Sequence, residues 1–288
     1  MDLALLDSYF SHPFLMWLAV ATSEWRVSRA ASPAAYLAMV LASGGLESLL
    51  ERHLHRNPNT DLNHSIDDGQ DNHSLDSQMS ATVASANFNC TLPLHIAACN
   101  RHTDTVLLLM EKGVSINSKA GDGVTALLEA TRSGNGDIVA FLLTRGAAVD
   151  MADAWGQTPL IVASEDSHIY LTIRILSAKA AVDLQRRDGC TALNLAASKG
   201  HFDIVTELLN HNASVDLADQ DGWTPLMSAS NNGHTDSAVA LLRKGASMEL
   251  QEADGSTAFL LAIQNGHYNT VLAFLEPAIH YFAVCAET

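Results

Sequence analysis

Positive charge is scarce in this sequence, which has 16 lysine and arginine residues against 32 aspartate and glutamate residues among its 288. With histidine neutral, the formal net charge at pH 7 is −16. A surface with this balance repels phosphate groups and lacks the attraction that supplies most nonspecific affinity for nucleic acids. Naked DNA or RNA is therefore not the expected partner.

Cysteine is also rare, and its spacing carries no metal or redox signature. The four cysteines contain no CxxC pair, and they stand at Cys90, Cys99, Cys190 and Cys285. So few thiols in a chain of this length suit a reducing compartment. The sequence therefore predicts free thiols and a cytoplasmic or nuclear protein.

Long apolar runs are missing, although one short run lies near the N-terminus. The stretch FLMWLAVA, Phe14 to Ala21, is far shorter than the roughly 18 residues that indicate a spanning helix. Its A-x-A-like end could also mark a secretory signal peptide, but Asp2 and Asp7 stand where a signal needs positive charge. A buried or capping helix is favoured over a signal peptide, and no membrane span is expected.

Motifs for catalysis are missing as well. The sequence has no GxxxxGK[ST] phosphate loop, no GxGxxG, no GxSxG, no HExxH and no kinase signature. Histidines and aspartates do cluster within 57–86, where a solvated loop is favoured over a metal site because nothing there provides a rigid frame. We therefore expect no enzyme activity and no cofactor.

What the sequence does contain is a repeat of 33 residues. Steps of 33 from Thr224 reach an anchor position in each unit, and two columns hold their phase with it. The anchors are Leu92, Thr125, Thr158, Thr191, Thr224 and Thr257; two residues later stand Leu94, Leu127, Leu160, Leu193, Leu226 and Phe259; five residues later stand Ala97, Ala130, Ala163, Ala196, Ala229 and Ala262.

Each column of the repeat has a local meaning. An anchor threonine followed by proline, as in Thr158-Pro159, predicts an N-cap and the start of a helix. Glycine nine residues after the anchor, as at Gly200, ends that helix, and apolar pairs then follow with helical spacing. Asp-Gly pairs between units predict tight turns. Each unit thus reads as helix, turn, helix and hairpin.

These units resemble ankyrin repeats, whose pattern D-G-x-T-P-L-H-x-A-A-x-x-G-H is matched by DGWTPLMSASNNGH at 221–234 and by LPLHIAA at 92–98. The resemblance covers six repeats from about Phe88 to Pro277. It implies an all-α fold, an ankyrin-type α-solenoid of helix-turn-helix units joined by β-hairpin loops. One unit cannot bury its own apolar face, so the repeats must stack.

The resemblance also divides the chain. We expect an N-terminal helical or capping segment at 1–34 and a degenerate repeat at 35–56. The insertion at 57–86 has no lysine or arginine and few large apolar residues, which predicts a flexible acidic segment. The six repeats occupy 87–278, and an atypical tail follows at 279–288.

In the family, certain histidines bond between units, so we expect this structural role for His95, His201, His234 and His267 rather than metal binding. The turn aspartates Asp122, Asp188, Asp221 and Asp254 are expected to serve turn geometry.

Ankyrin-like stacks imply a concave surface formed by the hairpin tips and the ends of the first helices. Its candidate partner-binding residues are Trp155, Trp223, Arg132, Glu165, Asp166, Arg187, Lys199, Asn231 and Asn232. The two tryptophans are not required by the repeat and are flanked by cations, which is typical of interface hot spots. The alternative is that each tryptophan folds over its own hairpin.

The resemblance implies a non-catalytic scaffold or adaptor, expected to be monomeric, that binds a protein partner through this surface. The alternative function is a substrate-recognition or regulatory subunit of an enzyme complex, in ubiquitin ligation or kinase signalling, with catalysis on another chain.

Overall fold

A computed structural model describes residues 92–275 together with Glu51, Leu54 and His55. Paired antiparallel helices fill this range, and residues 268–275 are helical as well. The helices are α1 (Pro93–Cys99), α2 (Thr103–Glu111), α3 (Ala126–Arg132), α4 (Gly136–Thr144), α5 (Pro159–Glu165), α6 (Ile169–Ser177), α7 (Ala192–Lys199), α8 (Phe202–Asn210), α9 (Pro225–Asn231), α10 (Thr235–Arg243) and α11 (Ala258–Gln264). The one β pairing in the described range is an isolated bridge between Lys119 and Thr125. The predicted all-α fold is confirmed.

The first helix of each unit begins at the anchor position, as the sequence predicts. The hydroxyls of the five anchor threonines each accept a hydrogen bond from the backbone N–H three residues later, and these residues are Thr125, Thr158, Thr191, Thr224 and Thr257. Each bond satisfies one of the N–H groups that the first turn of a helix leaves unpaired. Leu92 occupies the same position in the first unit without a side-chain cap.

The units stack in sequence order. The first helices form one row, in which α1 packs on α3, α3 on α5, α5 on α7, α7 on α9 and α9 on α11. The second helices form a parallel row from α2 to α10. The six column alanines are all fully buried in the first row, where their small side chains allow close approach of neighbouring helices. The stack is therefore the predicted solenoid.

Left-handed residues end the helices at fixed positions. Nine residues after the anchor, Gly134, Gly200, Gly233 and Gly266 have positive φ, as predicted. Non-glycine residues take the same conformation in the remaining units, at Arg101 and Ser167 after the first helix and at Lys179 and Asn212 after the second. A Cβ atom makes this conformation costly, so these positions carry strain that glycine would relieve.

Replacing Lys179 with glycine is expected to stabilise the protein by about 1 kcal/mol, because φ there is 65° and the side chain is exposed. Lys179→Ala is the control, since alanine removes the lysine side chain but keeps the Cβ atom. Urea unfolding of both variants measures the difference. A gain of equal size in both would show that the lysine side chain, not backbone strain, is responsible.

Several predicted segments lie outside the described residues, namely those at 1–34, 57–86 and 279–288. Of the predicted degenerate repeat at 35–56, Leu54 is buried and belongs to the same hydrophobic core as the column residues of the stack. The boundaries of these segments stay predictions.

Candidate functional site

The tips between units are closed turns of uniform geometry. Five residues before the anchor, a backbone N–H donates to the carbonyl four residues later. These bonds measure 3.1 Å from Asp153 to Gln157, 3.0 Å from Arg186 to Cys190 and 3.1 Å from Asp219 to Trp223. The glycine inside each turn has positive φ, for example 85° at Gly189. The tips are therefore ordered turns and not loose loops.

Neighbouring tips are also joined to each other through their backbones. The N–H of Ala154 donates to the carbonyl of Asp122 at 2.6 Å, and the N–H of Arg187 donates to that of Trp155 at 2.9 Å. The same bond recurs from Gln220 to Asp188 at 3.0 Å. A row of single hydrogen bonds thus runs along the edge of the stack and holds the tips at a fixed spacing.

Carboxylates five residues before the anchor close three of the turns from inside. Oδ1 of Asp153 accepts from the backbone N–H groups of Trp155 and Gln157, both at 2.9 Å. From the sequence, this role is expected for the aspartates of the Asp-Gly pairs, and Asp188 does accept from the N–H of Cys190 at 3.1 Å. The carboxylates two residues earlier were not predicted, because only three of the five turns have one: Asp153, Asp219 and Glu252.

Arg132, predicted to bind a partner, is the centre of an internal polar network. Its guanidinium donates to Oδ2 of Asp153 at 2.6 Å and to Oε1 of Gln157 at 2.8 Å, and it lies 3.4 Å from Oε1 of Glu129. The side chain of Asp153 is fully buried and that of Glu129 nearly so. A buried carboxylate needs such a partner. Arg132 therefore ties α3 to the next tip, a structural role that the sequence analysis did not predict.

Glu165 and the neighbouring tip form a second, more exposed charge cluster. Arg186 lies 3.5 Å from Oε2 of Glu165 and 2.7 Å from Oδ2 of Asp188. The hydrogen bond from Arg186 holds the pKa of the Asp188 carboxyl below its ordinary value. Because both partners reach solvent, this cluster stabilises the fold little and mainly sets the local charge pattern.

The repeated histidines bond between units, which confirms their predicted structural role. Nε2 of His201 lies 3.1 Å from the carbonyl of Glu165, and that of His267 lies 2.8 Å from the carbonyl of Asn231. His234 bonds the carbonyl of Ser198 in the same way, at 3.0 Å. The bonded carbonyls all lie seven residues after an anchor.

The two predicted binding asparagines also bridge units. Nδ2 of Asn232 donates to the carbonyl of Ser198 at 3.0 Å, and Oδ1 of Asn231 accepts from Nδ2 of Asn265 at the same distance. These contacts link the ends of successive first helices.

His95 bonds forward along the stack in a different way, and Asn194 shares its position. Nε2 of His95 lies 3.0 Å from the carbonyl of Val124, while Nδ2 of Asn194 donates to that of Trp223 at 3.0 Å. Both carbonyls directly precede an anchor. Burial lowers the pKa of His95 to about 4, so its ring is neutral at pH 7 and donates through Nε2. This role of Asn194 was not predicted from the sequence.

A further row of bonds, not predicted from the sequence, joins the units in the segment between each second helix and the tip that follows it. The side chain 25 residues after an anchor accepts from a backbone N–H of the following unit. The distances are 2.8 Å from Asn117 to Ala148, 3.0 Å from Asp150 to Ala181 and 2.9 Å from Asp183 to Ser214. These acidic and amide residues therefore hold the stack together.

The two tryptophans differ in how far they are exposed to solvent. Trp155 is 45% exposed at its tip, whereas Trp223 is half-buried and packs against the hydrophobic core. Trp223 therefore has a packing role beside its predicted binding role, because its ring packs against the core. Arg187, Lys199 and Asp166 are exposed, as a binding role requires.

Trp223→Ala is expected to lower the free energy of unfolding by about 1 to 2 kcal/mol, since a half-buried ring loses part of the area that a fully buried one would lose. Trp155→Ala is the matched control, and its unfolding free energy should change by less than about 0.5 kcal/mol. Thermal or urea unfolding measures both. Equal losses in the two variants would contradict the difference in packing.

Within residues 92–275, no group of three or more histidine, cysteine, aspartate and glutamate side chains has the arrangement of a metal site. Burial raises the pKa of the Cys190 thiol to about 12, so it stays protonated at pH 7 and is a poor nucleophile.

Comparison with known proteins gives the family. No helix among the described residues has the length and apolar character to cross a membrane. No curated protein matches the chain, but the family model for ankyrin repeats in three copies matches it at residues 39–153, 145–219, 170–252 and 211–284. Ankyrin repeats generally mediate protein–protein interaction and are typically non-catalytic. Matches that extend over most of the sequence, on a stack with this register, show that the chain belongs to the ankyrin-repeat family.

Proposed function

We propose that this protein is a non-catalytic scaffold or adaptor that binds a partner protein through its concave surface, the surface formed by the tips and by the ends of the first helices. The observation that carries the proposal is Trp155, a large aromatic side chain that is 45% exposed on an ordered tip. Tryptophan is enriched among the residues that dominate binding energy at protein interfaces.

The backbone of Trp155 is held on both sides, which favours binding. Its N–H donates to Asp153, and its carbonyl accepts from the N–H of Arg187. Little backbone freedom is left to lose when a partner docks, so most of the contact energy of the ring contributes to affinity. A tryptophan on a mobile loop would lack this advantage.

Two exposed cations on the unit that follows Trp155 indicate the partner's chemistry. Arg187 follows it on the next tip, and Lys199 ends the first helix of that same unit. Both side chains are exposed cations on a protein of net charge −16, so they are local exceptions to its overall repulsion of acids. We infer that the partner presents an apolar side chain to Trp155 and an acidic side chain to Arg187 and Lys199.

The other predicted binding residues have supporting roles in this proposal. Polar groups at the edge of the concave surface come from Glu165, Asp166, Asn231 and Asn232. Trp223 contributes an apolar ring that is partly covered by the core. Arg132 acts indirectly. Its guanidinium donates to Asp153, and the carboxylate of Asp153 accepts from the backbone N–H of Trp155. We propose that the protein binds as a monomer in a reducing compartment, the cytoplasm or the nucleus.

Site-specific photo-crosslinking tests the proposal. A benzophenone amino acid replaces Trp155 in one variant and Phe202 in a matched control, because Phe202 is 44% exposed but lies at the start of a second helix. In cells, the variant at 155 should capture a defined protein that the variant at 202 does not. Equal capture at both positions, or capture only at 202, would contradict binding through the concave surface.

A further inference from the structure

The last described unit exposes positions that every earlier unit buries. Three residues after the anchor, Leu260 is 44% exposed, whereas its five counterparts are at most 3% exposed. Six residues after the anchor, Ile263 is 49% exposed, whereas its five counterparts are fully buried. The counterparts are His95, Leu128, Ile161, Asn194 and Met227 in the first column, and Ala98, Thr131, Ser164, Ala197 and Ser230 in the second.

The second helix of that unit shows the same change. Val271 is half-buried, while the five residues that precede it at 33-residue steps are fully buried. Leu275 is 39% exposed; in its column Leu209 and Leu176 are buried, and Leu242, Leu143 and Met110 are partly buried. In the earlier units the columns of Leu260, Ile263 and Val271 are buried in the stack of successive helices. The four residues Leu260, Ile263, Val271 and Leu275 therefore form one surface, the end face.

The end face has the composition of an interior. Its four side chains are all aliphatic, and a repeat that ends a stack in water needs a polar outer face instead. An apolar surface of this kind indicates that something covers it. In the last unit, from 251 to 275, the charged side chains are Glu252 and Asp254, both near the tip. The cover should therefore be apolar.

We propose that residues 276–288 cover the end face, with Ile279, Tyr281, Phe282 and Val284 as the apolar contacts. This segment lies outside the described residues and follows directly from Leu275, at the edge of the face. A tethered segment has an effective concentration that a separate molecule rarely reaches. Thirteen residues can extend about 40 Å, several times the roughly 10 Å between packed helices.

Charge favours this occupant over a second copy of the chain. Two copies meeting at their end faces would each bring a formal net charge of −16, and that repulsion opposes association. Residues 276–288 carry only two acidic side chains, Glu276 and Glu287, and both stand outside the apolar stretch. The proposal does not depend on the partner-binding role of the concave surface.

Disulfide trapping in the full chain tests the proposal. Cys90, Cys99 and Cys190 are changed to alanine, which leaves Cys285 as a natural thiol in the segment. Ile263→Cys then places a second thiol on the end face, and Ile173→Cys is the matched control, since Ile173 is 41% exposed but lies on α6. The oxidised products are identified on non-reducing gels and by mass spectrometry.

Under mild oxidation, Ile263→Cys should form an intramolecular disulfide with Cys285 at least ten times faster than Ile173→Cys. Equal rates in the two variants would overturn the proposal. A disulfide that joins two chains through the Ile263→Cys thiols would also overturn it, because a second copy would then be the cover.

Exposure of the end face gives an independent measurement. Replacing both Tyr281 and Phe282 with serine should uncover the face and increase the fluorescence of an added apolar dye at least threefold. Ala286→Ser, in the same segment, should leave the fluorescence unchanged. No increase in the double variant, with its helical circular dichroism retained, would contradict the proposal.

Discussion

Gly189→Ala should lower the free energy of unfolding by about 2 to 4 kcal/mol. The added Cβ would lie 2.7 Å from the backbone nitrogen of Gln220 and 3.0 Å from the backbone of Asp219, at a φ of 85° that alanine resists. Left-handed backbone costs roughly 1 to 2 kcal/mol, and overpacking against a backbone adds about 1 to 3 kcal/mol. The added Cβ would therefore disturb the hydrogen bond between neighbouring tips, which the N–H of Gln220 donates to the carbonyl of Asp188.

Gly255→Ala is the matched control, because Gly255 occupies the same turn position with a φ of 83° but has open space where its Cβ would lie. It should cost only about 1 kcal/mol, the backbone share of the effect. Urea unfolding of both variants gives the two losses. If they were equal, close contact between the tips would contribute nothing to stability, and the tips could not be a continuous rigid edge.

Asp153→Ala should lower the free energy of unfolding by about 2 to 4 kcal/mol, the other large effect that we expect. The substitution leaves the partly buried guanidinium of Arg132 without its nearest carboxylate, and it removes the acceptor for two backbone N–H groups of the tip. Breaking a buried ion pair from one side commonly costs about 3 to 5 kcal/mol, and Arg132 recovers part of that from solvent and from Glu129.

Asp153→Asn separates the two roles of the carboxylate. Its amide oxygen can still accept from the N–H groups of Trp155 and Gln157, but the charge opposite Arg132 is gone. We expect about half the loss seen for alanine, measured by urea unfolding at pH 7. An asparagine variant as unstable as the alanine variant would show that the charge pair alone matters and that the turn bonds contribute little.

Much of the fold can be predicted from the sequence because its signals are local and recur at one register. Thr158 marks a helix start through its own hydroxyl, and Gly200 marks a helix end through its own backbone freedom. Neither signal needs knowledge of distant atoms. Their repetition at intervals of 33 residues then implies a stack, because a single unit cannot bury its apolar face.

The candidate site is less predictable because its geometry depends on pairs from different units. The position five residues before the anchor holds alanine, aspartate, arginine, aspartate and glutamate in turn, so no single residue type marks it. Whether Asp153 meets Arg132 depends on how α3 lies against the following tip. Likewise, Trp155 and Trp223 both stand in the tips, three residues and one residue before an anchor, and the packing of the neighbouring units is needed to show that Trp223 is half-buried.

The acceptors that join neighbouring units are marked by the repeat, although they were not predicted. Asn117, Asp150, Asp183 and Asp216 recur at 33-residue intervals and could have been found by the same register as the column alanines. Their role as acceptors between units needs the structure, since a recurring polar residue on a helical repeat also fits a solvent-facing turn. Periodicity identifies which positions matter, and packing decides what they do.

The tip architecture connects stability to the proposed function. Arg132 fixes Asp153, Asp153 fixes the backbone of Trp155, and the carbonyl of Trp155 holds the next tip through Arg187. The backbone that carries the exposed indole is therefore held in place by a series of contacts. Because little freedom is lost on binding, one side chain can contribute a large share of the binding energy.

The Kd of Trp155→Ala for the protein captured by photo-crosslinking at position 155 tests the central claim most directly. Loss of a hot-spot tryptophan commonly costs about 2 kcal/mol or more, which corresponds to roughly thirtyfold weaker binding. Phe202→Ala, which removes an equally exposed aromatic ring from a second helix, should leave the Kd within about twofold of the unmodified protein. An unchanged Kd for Trp155→Ala, together with weakened binding for Phe202→Ala, would contradict recognition through the concave surface.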